Sequence, residues 1–223
     1  MITRIFSNIH KEIPRVKKDH WISFVYDLSS VPCLRGTTAA SLRLRLATEE
    51  DLDVIAHHGE GKEPVVVSSL RFWREYGFRK LYLGILENDQ EPAIMQYVFD
   101  ESDNDRYPSM TYGNIYRRQN SDSVMVENIY AFRSKRQKHL AAAFEARLFE
   151  QLKQMGKREV RTHVNIKNTA SLFWARAVGF RPDSWITMVT IDLPFLRSLK
   201  RKFLYSPVQQ ADYDTYPLSM FKG

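Results

Sequence analysis

The stretch that decides the fold is VMVENIYAFRSKRQKHL, residues 124–140. Its first half, 124–132, is rich in β-branched and aromatic residues and predicts a buried strand. The basic segment 133–139 ends this strand abruptly. Beyond it, apolar side chains recur at three- and four-residue steps as far as Met155, which predicts a helix that Gly156 ends in the left-handed conformation. The predicted order is therefore strand, tight loop and helix.

The basic loop lies at the N-terminus of this predicted helix. A helix N-terminus presents unpaired backbone N–H groups and the positive end of the helix dipole, and both attract anions. The loop also contains four cationic side chains: Arg133, Lys135, Arg136 and Lys138. We therefore expect a site for a phosphate or pyrophosphate here.

Two motifs resemble those of a known family. Residues 136–141, Arg-Gln-Lys-His-Leu-Ala, are similar to the Arg/Gln-x-x-Gly-x-Gly/Ala loop of the GNAT superfamily of acyl-CoA-dependent N-acyltransferases. Residues 168–180 are similar to the second motif of that family, an asparagine followed by a short helix that ends in Gly-Phe. Because the two motifs occur in the right order and spacing, the likeness covers residues 42–192 and is more specific than either motif alone.

The chain departs from the family pattern at two positions. His139 stands where the loop usually has its first glycine, so a side chain would crowd the approach of the pyrophosphate, whereas Ala141 matches the second small position. In the short helix, Ala175 stands where many relatives have a tyrosine that protonates the departing thiolate. Without that tyrosine, the proton comes from water or from another phenol such as Tyr130, or the protein binds acyl-CoA without turnover.

The resemblance implies an α/β (α+β) fold, in which helices flank a mixed, mostly antiparallel twisted sheet with extensions at both ends. It divides the chain into an N-terminal extension over 1–41, an N-acyltransferase domain over 42–193, and a basic amphipathic segment with a tail over 194–223. Alternating residues predict an added strand over 21–28, which we expect at a sheet edge. The strands expected in the domain, beside the central one, cover 42–46, 80–86, 93–99, 109–117, 159–164 and 185–193.

The resemblance also implies acetyl-CoA, or another acyl-CoA, as co-substrate. Its pyrophosphate would contact the backbone amides of residues 136–142, and its pantetheine would lie along the central strand where this strand parts from its neighbour. A backbone N–H near 129–131 would bind the thioester oxygen. The residues implied to contact the co-substrate are Ile129, Ala131, Arg136, Gln137, Lys138, His139, Leu140, Ala141, Ala142 and Asn168.

Acyl transfer from a thioester to an amine requires a neutral amine, a donor for the oxygen that gains charge, and a proton for the departing thiolate. Glu127 lies four residues before Ala131, where many family members place the carboxylate that accepts the amine proton, directly or through water. We predict that Glu127 is the catalytic base, with Tyr130 as a candidate acid. The alternative is that Glu127 is an exposed strand carboxylate in an ion pair.

The composition limits the other partners. The chain has 33 Lys+Arg against 26 Asp+Glu, a net charge of +7, which suits an anionic cofactor, an anionic membrane surface or nucleic acid. We predict no nucleic-acid partner, since the base-stacking aromatic residues of RNA-binding folds are not interleaved with the basic ones. No His/Cys/Asp cluster has metal-ligand spacing, so we expect no metal. The sequence lacks an apolar run of membrane-spanning length and a signal peptide, which predicts a cytoplasmic protein.

The basic segment 195–205 predicts an amphipathic helix that begins after Pro194. The sequence leaves three alternatives for what its apolar face contacts. It would lie on anionic lipid as a peripheral membrane contact, or pack against the protein's own domain, or pack against a second subunit in a homodimer.

Two function classes follow from these features. We predict a transferase, an acyltransferase of the N-acetyltransferase type that moves an acetyl or other acyl group from acyl-CoA to a primary amine of a small molecule, an amino sugar or a protein. The alternative is a catalytically degenerate GNAT-like module that binds acyl-CoA or a protein partner. His139 and Ala175 favour this alternative, because both depart from the family's motifs.

Overall fold

One mixed sheet organises the part of the chain that the computed structural model describes, residues 15–30, 41–58, 63–110, 113–136, 139–193 and 198–207. Its strands are β1 (Arg15–Asp27), β2 (Leu42–Leu46), β3 (Leu81–Leu86), β4 (Pro92–Phe99), β5 (Ser123–Ala131), β6 (Glu159–Asn165), β7 (Arg181–Leu193) and β8 (Ser198–Pro207). They lie in the order β2-β3-β4-β5-β6-β1-β7-β8. Neighbouring strands pair antiparallel, except that β5 and β6 pair parallel. The predicted mixed, mostly antiparallel sheet is confirmed.

Within the described ranges, the α-helices beside the sheet are α1 (Glu49–His58), α2 (Pro64–Arg74), α3 (Leu140–Gln154) and α4 (Thr169–Val178). They cover two clusters of buried apolar side chains. One cluster contains Phe144 of α3 together with Val126 of β5, and the other contains Phe72 of α2 together with Met125 of β5. Because adjacent strand residues point to opposite faces, the two clusters lie on opposite faces of the sheet.

The ends of α3 and α4 follow local signals in the sequence. The Oδ1 atom of Asn168 accepts the Ser171 N–H at 3.1 Å and so caps the first turn of α4. Gly179 ends that helix in the left-handed conformation, with φ 101°. Gly156 follows α3 with φ 84°. The predicted asparagine cap and both predicted glycine stops are therefore confirmed.

The N-terminal strand occupies a different place from the one that the sequence predicts. A strand over 21–28 is expected at a sheet edge, and the edge position is wrong. β1 begins at Arg15 and lies inside the sheet, antiparallel to β6 on one side and to β7 on the other. Trp21, for example, is opposite both Asn165 and Ile186. An edge strand would leave one row of backbone groups unpaired, whereas β1 is paired on both sides.

The strand predicted over 109–117 is also wrong. Two 3-10 helices occupy the described part of this region, Glu101–Ser109 and Gly113–Ile115, while residues 111 and 112 lie outside it. The buried carboxylate of Asp103 accepts hydrogen bonds from Lys80 and from Arg106, each at 2.9 Å. These charge-assisted bonds hold the first of the two 3-10 helices. Within the predicted strand, the backbone N–H groups of Met110, Gly113 and Tyr116 bond to carbonyls three residues earlier and so do not pair with a neighbouring strand.

Residues 198–207 form a strand, so the helix predicted over 195–205 is wrong from residue 198 onward; residues 195–197 lie outside the described ranges. β8 pairs antiparallel with β7 from Ser198 opposite Leu193 to Pro207 opposite Ser184. The outer edge of β7 has a long row of backbone N–H and C=O groups. Pairing with β8 gives these groups hydrogen-bond partners, whereas a separate helix would leave them exposed to water. Contact with lipid stays a prediction, now without the helix that motivated it. No helix in the described ranges is both long enough and apolar enough to cross a membrane.

Candidate active site

β5 and β6 part in the middle of the sheet. Their parallel pairing runs from Ser123 opposite Glu159 to Met125 opposite Arg161. Beyond Met125 the strands separate around a cleft of about 230 Å³. The residues that line it include Gln96, Glu127, Ile129, His163, Asn168 and Trp174. The structure thus brings together three residues that the sequence analysis predicts for the site, Glu127, Ile129 and Asn168.

A bulge in β5 shapes this cleft. Met95 of β4 is opposite Tyr130, but Tyr97 is opposite Glu127, so β5 has one residue more than β4 between these two pairs. Within the bulge, Asn128 has a left-handed backbone with φ 57°. A bulge bends the strand that carries it and increases its local twist. β5 therefore changes direction where it leaves β6.

Helix α2 holds the bulge in place. The side-chain amide of Asn128 donates hydrogen bonds to Ser68 Oγ at 3.2 Å and to Ser69 Oγ at 3.3 Å. Ser69 is buried and donates in turn to the Val65 carbonyl at 2.8 Å. Asparagine adopts the left-handed conformation more readily than most residues do. These contacts fix the backbone immediately before residues 129–131, where the sequence analysis places the donor for the thioester oxygen.

Glu127 contacts His163 across the gap between the two strands. Its Oε1 atom accepts the backbone N–H of His163 at 3.2 Å and lies 3.5 Å from His163 Nδ1. The His163 side chain is 1% exposed. Among the described residues, neither ring nitrogen has a hydrogen-bond partner. A carboxylate and an imidazole in this arrangement can accept a proton from a bound substrate and pass it on.

A second cavity meets the first at this pair. It measures about 350 Å³ and is lined by residues of β1, β6 and β7 and by the 3-10 segment at Ile115. Glu127, His163 and Asn165 line both cavities. Two substrates that enter from different sides would therefore meet at Glu127 and His163. Within the described ranges, no group of three or more His, Cys, Asp or Glu residues is placed to hold a metal ion.

Tyr116 closes the second cavity beside the histidine. Its ring centroid lies 5.8 Å from that of His163. Burial raises the pKa of the Tyr116 phenol well above its usual value, and the nearby charge of Glu127 adds to the rise. The phenol therefore stays protonated at neutral pH and can donate a hydrogen bond to a ligand. Tyr112, which belongs to the same predicted strand over 109–117, lies outside the described residues.

Sequence reasoning misses His163 and Asn165. The strand pattern of residues 159–164 is visible in the sequence, and His163 is a polar residue within it. However, its role depends on which strand lies beside β6. The sequence does not show that His163 lies beside the predicted base Glu127, because this depends on β6 being the neighbour of β5. His163 can be recognised as a site residue only after the order of the strands is known.

The basic loop is less cationic than its sequence indicates. Arg133 forms an ion pair with Glu63. Lys135 Nζ lies 2.5 Å from Asp89 Oδ2 and 3.5 Å from Glu91 Oε2. Two of the four cationic side chains predicted to bind a phosphate are therefore already neutralised by carboxylates of the protein. Gln137 and Lys138 lie outside the described residues.

Arg136 and the start of α3 form the described part of the predicted pyrophosphate site. Arg136 Nε donates to the Ala131 carbonyl at 3.0 Å, and its guanidinium lies 5.7 Å from the centroid of the Tyr130 ring. His139 precedes α3 with φ 67° and ψ 4°, a left-handed conformation. This is the position at which the resembled loop usually has glycine. The N–H groups of residues 140–142 follow and, as in any first helical turn, lack acceptors within the helix; Leu140 is buried, whereas Ala141 and Ala142 are half-buried.

The proton donor for the thiolate is not evident in the cleft. The Tyr130 hydroxyl is buried, has no hydrogen-bond partner among the described residues, and does not line either cavity. Ala175 is fully buried in the core. Trp174 lines the cleft, and its indole nitrogen is buried without a partner in the described part of the chain. The role of Tyr130 as acid therefore stays a prediction that this placement does not favour.

Solved structures with the same arrangement of strands and helices identify the fold. A GCN5-related glucosamine N-acetyltransferase region of a fungal multi-domain GH3 β-N-acetylglucosaminidase superposes with a TM-score of 0.56 over 84% of this chain, at 12% identity. A GNAT-family acetyltransferase from Colwellia psychrerythraea superposes with a TM-score of 0.50 over 85% of this chain, at 8% identity. The chain has the GNAT fold.

These structural similarities establish the fold and do not establish a function. A functionally unknown conserved protein from Staphylococcus epidermidis also shares it, with a TM-score of 0.53 over 80% of this chain and 8% identity. The chain spans 22%, 60% and 63% of the lengths of the fungal, Colwellia and Staphylococcus structures, which is less than two thirds of each. No family model and no curated protein matches the sequence. Because one fold serves many activities, function rests on the site itself.

Proposed function

We propose that this protein is an acyl-CoA-dependent N-acyltransferase that transfers an acetyl or other acyl group to a primary amine. One observation carries the proposal: Glu127 and His163 meet where β5 and β6 part, and both line the two cavities. A carboxylate beside an imidazole, at the junction of two cavities of about 230 and 350 Å³, is suited to removing a proton from an amine during group transfer. The GNAT fold supports the choice of an acyl-CoA as donor.

Each cavity would take one substrate. In the proposal, the acyl end of the co-substrate enters the cleft along β5, and a backbone N–H near Ile129 donates to the thioester oxygen. The backbone amides of 139–142 and the side chain of Arg136 bind the pyrophosphate. The acceptor amine enters from the second cavity. Charge and geometry in the described part of the loop fit this placement, because Arg136 is exposed beside the first turn of α3.

The proposed reaction balances with these residues. The amine nitrogen attacks the thioester carbonyl carbon, the C–N bond forms, and the C–S bond breaks. The amine proton moves to the Glu127 carboxylate, directly or through His163, and the departing thiolate takes a proton from water. A rigid junction between the cavities contributes by holding the two reactants in line.

A second candidate is a module that binds acyl-CoA without turnover. The observation in its favour is that no phenol lines the cleft among the described residues, while Ala175 is buried in the core. In this case Glu127 and His163 would shape a ligand-binding surface and would transfer no proton.

Two measurements in sequence test the proposal. Titration calorimetry with acetyl-CoA and with longer acyl-CoAs measures binding, and release of free thiol on adding a panel of primary amines measures turnover. Binding together with amine-dependent thiol release supports the acyltransferase. Binding without thiol release for any amine favours the binding module, and no acyl-CoA binding at all contradicts both.

A further inference from the structure

Polar side chains of β1 form one end of the second cavity. Lys17, Asp19 and Trp21 alternate along this strand and line the cavity together with Asn165 and Met188. Residues two apart on a strand share a face, and the register supports this arrangement, because Trp21 is opposite Asn165 and Asp19 is opposite Met188. β1 therefore carries part of the wall that the acceptor would meet.

Asp19 is a carboxylate held near lysines that are mostly in solvent. The residue is 8% exposed. Its carboxylate lies 3.0 Å from Lys17 Nζ and 3.7 Å from Lys167 Nζ, and these lysine side chains are 69% and 74% exposed. Ion pairs with such exposed lysines contribute little free energy. An ammonium group of a ligand can therefore take the place of a lysine at Asp19 at small cost.

The opposite end of the cavity carries the Glu127–His163 pair. His163 lines this end with its side chain 1% exposed; its Nδ1 atom lies 3.5 Å from Glu127 Oε1, and its Nε2 atom has no hydrogen-bond partner among the described residues, so this end can bind a polar group of a ligand. Ser23 of β1 is opposite His163. Since Ser23 lies four residue steps along β1 from Asp19, the two ends lie about 13 Å apart along the strand.

The wall between the two ends contains apolar and aromatic residues, with Asn165 as a polar member. Trp21, Ile115, Tyr116 and Met188 line it. A slot with a carboxylate near each end and apolar or aromatic residues between them matches an aliphatic chain with a nitrogen at each end. A sugar or a polar peptide carries more hydroxyl or amide groups than Asn165 and the Tyr116 phenol can pair along this wall.

We propose that the acceptor is an elongated aliphatic diamine whose distal ammonium binds Asp19 while its other nitrogen reaches Glu127 and His163. The binding part of this inference stands on the cavity alone, and the transfer part rests on the proposed function. In transfer, the neutral amine nitrogen at Glu127 attacks the thioester carbonyl carbon, the C–N bond forms and the C–S bond breaks. The nitrogen gives one proton to the Glu127 carboxylate, the thiolate takes one from water, and the distal ammonium keeps its charge and its contact with Asp19.

The first test measures binding without any acyl-CoA. Titration calorimetry compares diaminohexane with hexylamine, which has the same chain and one nitrogen. Because a charge-assisted hydrogen bond is the difference, we expect diaminohexane to bind about tenfold more tightly or better. Asp19→Asn should remove this preference, and the matched control Asp53→Asn, an exposed carboxylate on α1, should retain it. Equal binding of the two amines, or an unchanged preference in Asp19→Asn, overturns the proposal.

Lys17→Ala provides a second variant in case Asp19→Asn does not fold. The Lys17 side chain is exposed, so its loss should leave the sheet intact. Because Lys17 competes for Asp19, we expect diaminohexane to bind several-fold more tightly to this variant, with hexylamine unaffected. Unchanged or weaker binding of the diamine contradicts the role of Asp19.

A third measurement separates this inference from the proposed function. Thiol release from acetyl-CoA is recorded with both amines, for the wild type and for Asp19→Asn. If diaminohexane binds through Asp19 but no amine releases thiol, the transfer proposal fails and the binding site stands. If both amines release thiol equally well and Asp19→Asn makes no difference, the acyltransferase stands and the diamine assignment fails.

Discussion

Glu127 Oε1 accepts the backbone N–H of His163 at 3.2 Å, so a side chain of β5 bonds to the backbone of β6 just beyond the last paired residues of these strands. This contact keeps the two strands in register while their backbones separate. It also fixes the carboxylate at the mouth of both cavities. The hydrogen bond that spans the separating strands therefore also positions the carboxylate of the candidate base.

Glu127→Gln should lower kcat by about 100-fold or more, while the Kd of acetyl-CoA stays close to that of the wild type. A general base contributes a rate factor of this size, and it acts on the amine, which is not part of the co-substrate. The amide oxygen of glutamine can still accept the His163 N–H, so the fold should be retained. Steady-state thiol release and titration calorimetry on the same preparation give the two values.

The control for this variant is Glu75→Gln, an exposed carboxylate on the surface beyond α2. It should leave both kcat and Kd unchanged. A turnover number for Glu127→Gln within a few-fold of the wild type across the pH range would show that the carboxylate has a structural role only.

Arg136→Ala should weaken acetyl-CoA binding by about 1–3 kcal/mol, the contribution of a charge-assisted hydrogen bond to phosphate. The Ala131 carbonyl and the Tyr130 ring already hold this guanidinium beside the first turn of α3. Calorimetric titration against Arg158→Ala, an exposed arginine just before β6, provides the comparison. Unchanged affinity in Arg136→Glu would place the pyrophosphate elsewhere.

Local signals account for the elements that the sequence predicts correctly. The Asn168 side chain caps α4 through a neighbour three residues away, and Gly179 ends that helix because glycine adopts a positive φ without strain. The antiparallel pairing of β3 with β4 is likewise local, since only a short turn joins them. Such features depend on residues close in the chain, and a single sequence contains them in full.

Long-range pairing accounts for what the sequence does not reveal. Trp21 is opposite Asn165, and nothing near Trp21 in the chain indicates that β1 inserts beside β6. Segment 195–205 mixes apolar and basic residues in an order compatible with helix or strand, and the free edge of β7 decides for strand. The positions of Asp19 and His163 in the candidate site depend on such pairing, so sequence motifs do not predict them.

His139→Gly should tighten acetyl-CoA binding several-fold and raise the free energy of unfolding, by up to about 1 kcal/mol. His139 holds a φ of 67°, which strains a residue with a Cβ atom, and its exposed side chain lies at the entrance of the predicted pyrophosphate site. Calorimetry and urea denaturation measure the two effects. His139→Ala is the matched control, because it shortens the side chain but keeps the strained Cβ, so it should gain affinity without gaining stability. Weaker binding in His139→Gly would instead identify the imidazole as a ligand contact.

Glu145 is a carboxylic acid in the buried core. It lies on the buried face of α3 at 0% exposure, beside the side chain of Gln96. Burial raises the pKa of Glu145 from 4.5 to about 8, and the side chain of Gln96, which also lines the cleft, opposes the rise. The folded protein therefore holds Glu145 protonated at neutral pH.

This protonation predicts that the contribution of Glu145 to the free energy of unfolding falls as the pH rises from 5 to 8. Below the unfolded-state pKa both states are protonated; between the two pKa values only the unfolded chain ionises, so each pH unit costs about 1.4 kcal/mol of unfolding free energy. Glu145→Gln removes the ionisation, and we expect it to be more stable than the wild type at pH 8 by up to about 4 kcal/mol and similar to it at pH 5. Urea denaturation at both pH values measures the difference, with Glu150→Gln, an exposed residue of the same helix, as control. Parallel pH profiles for Glu145→Gln and the wild type would mean that Glu145 ionises in the folded protein as it does in water.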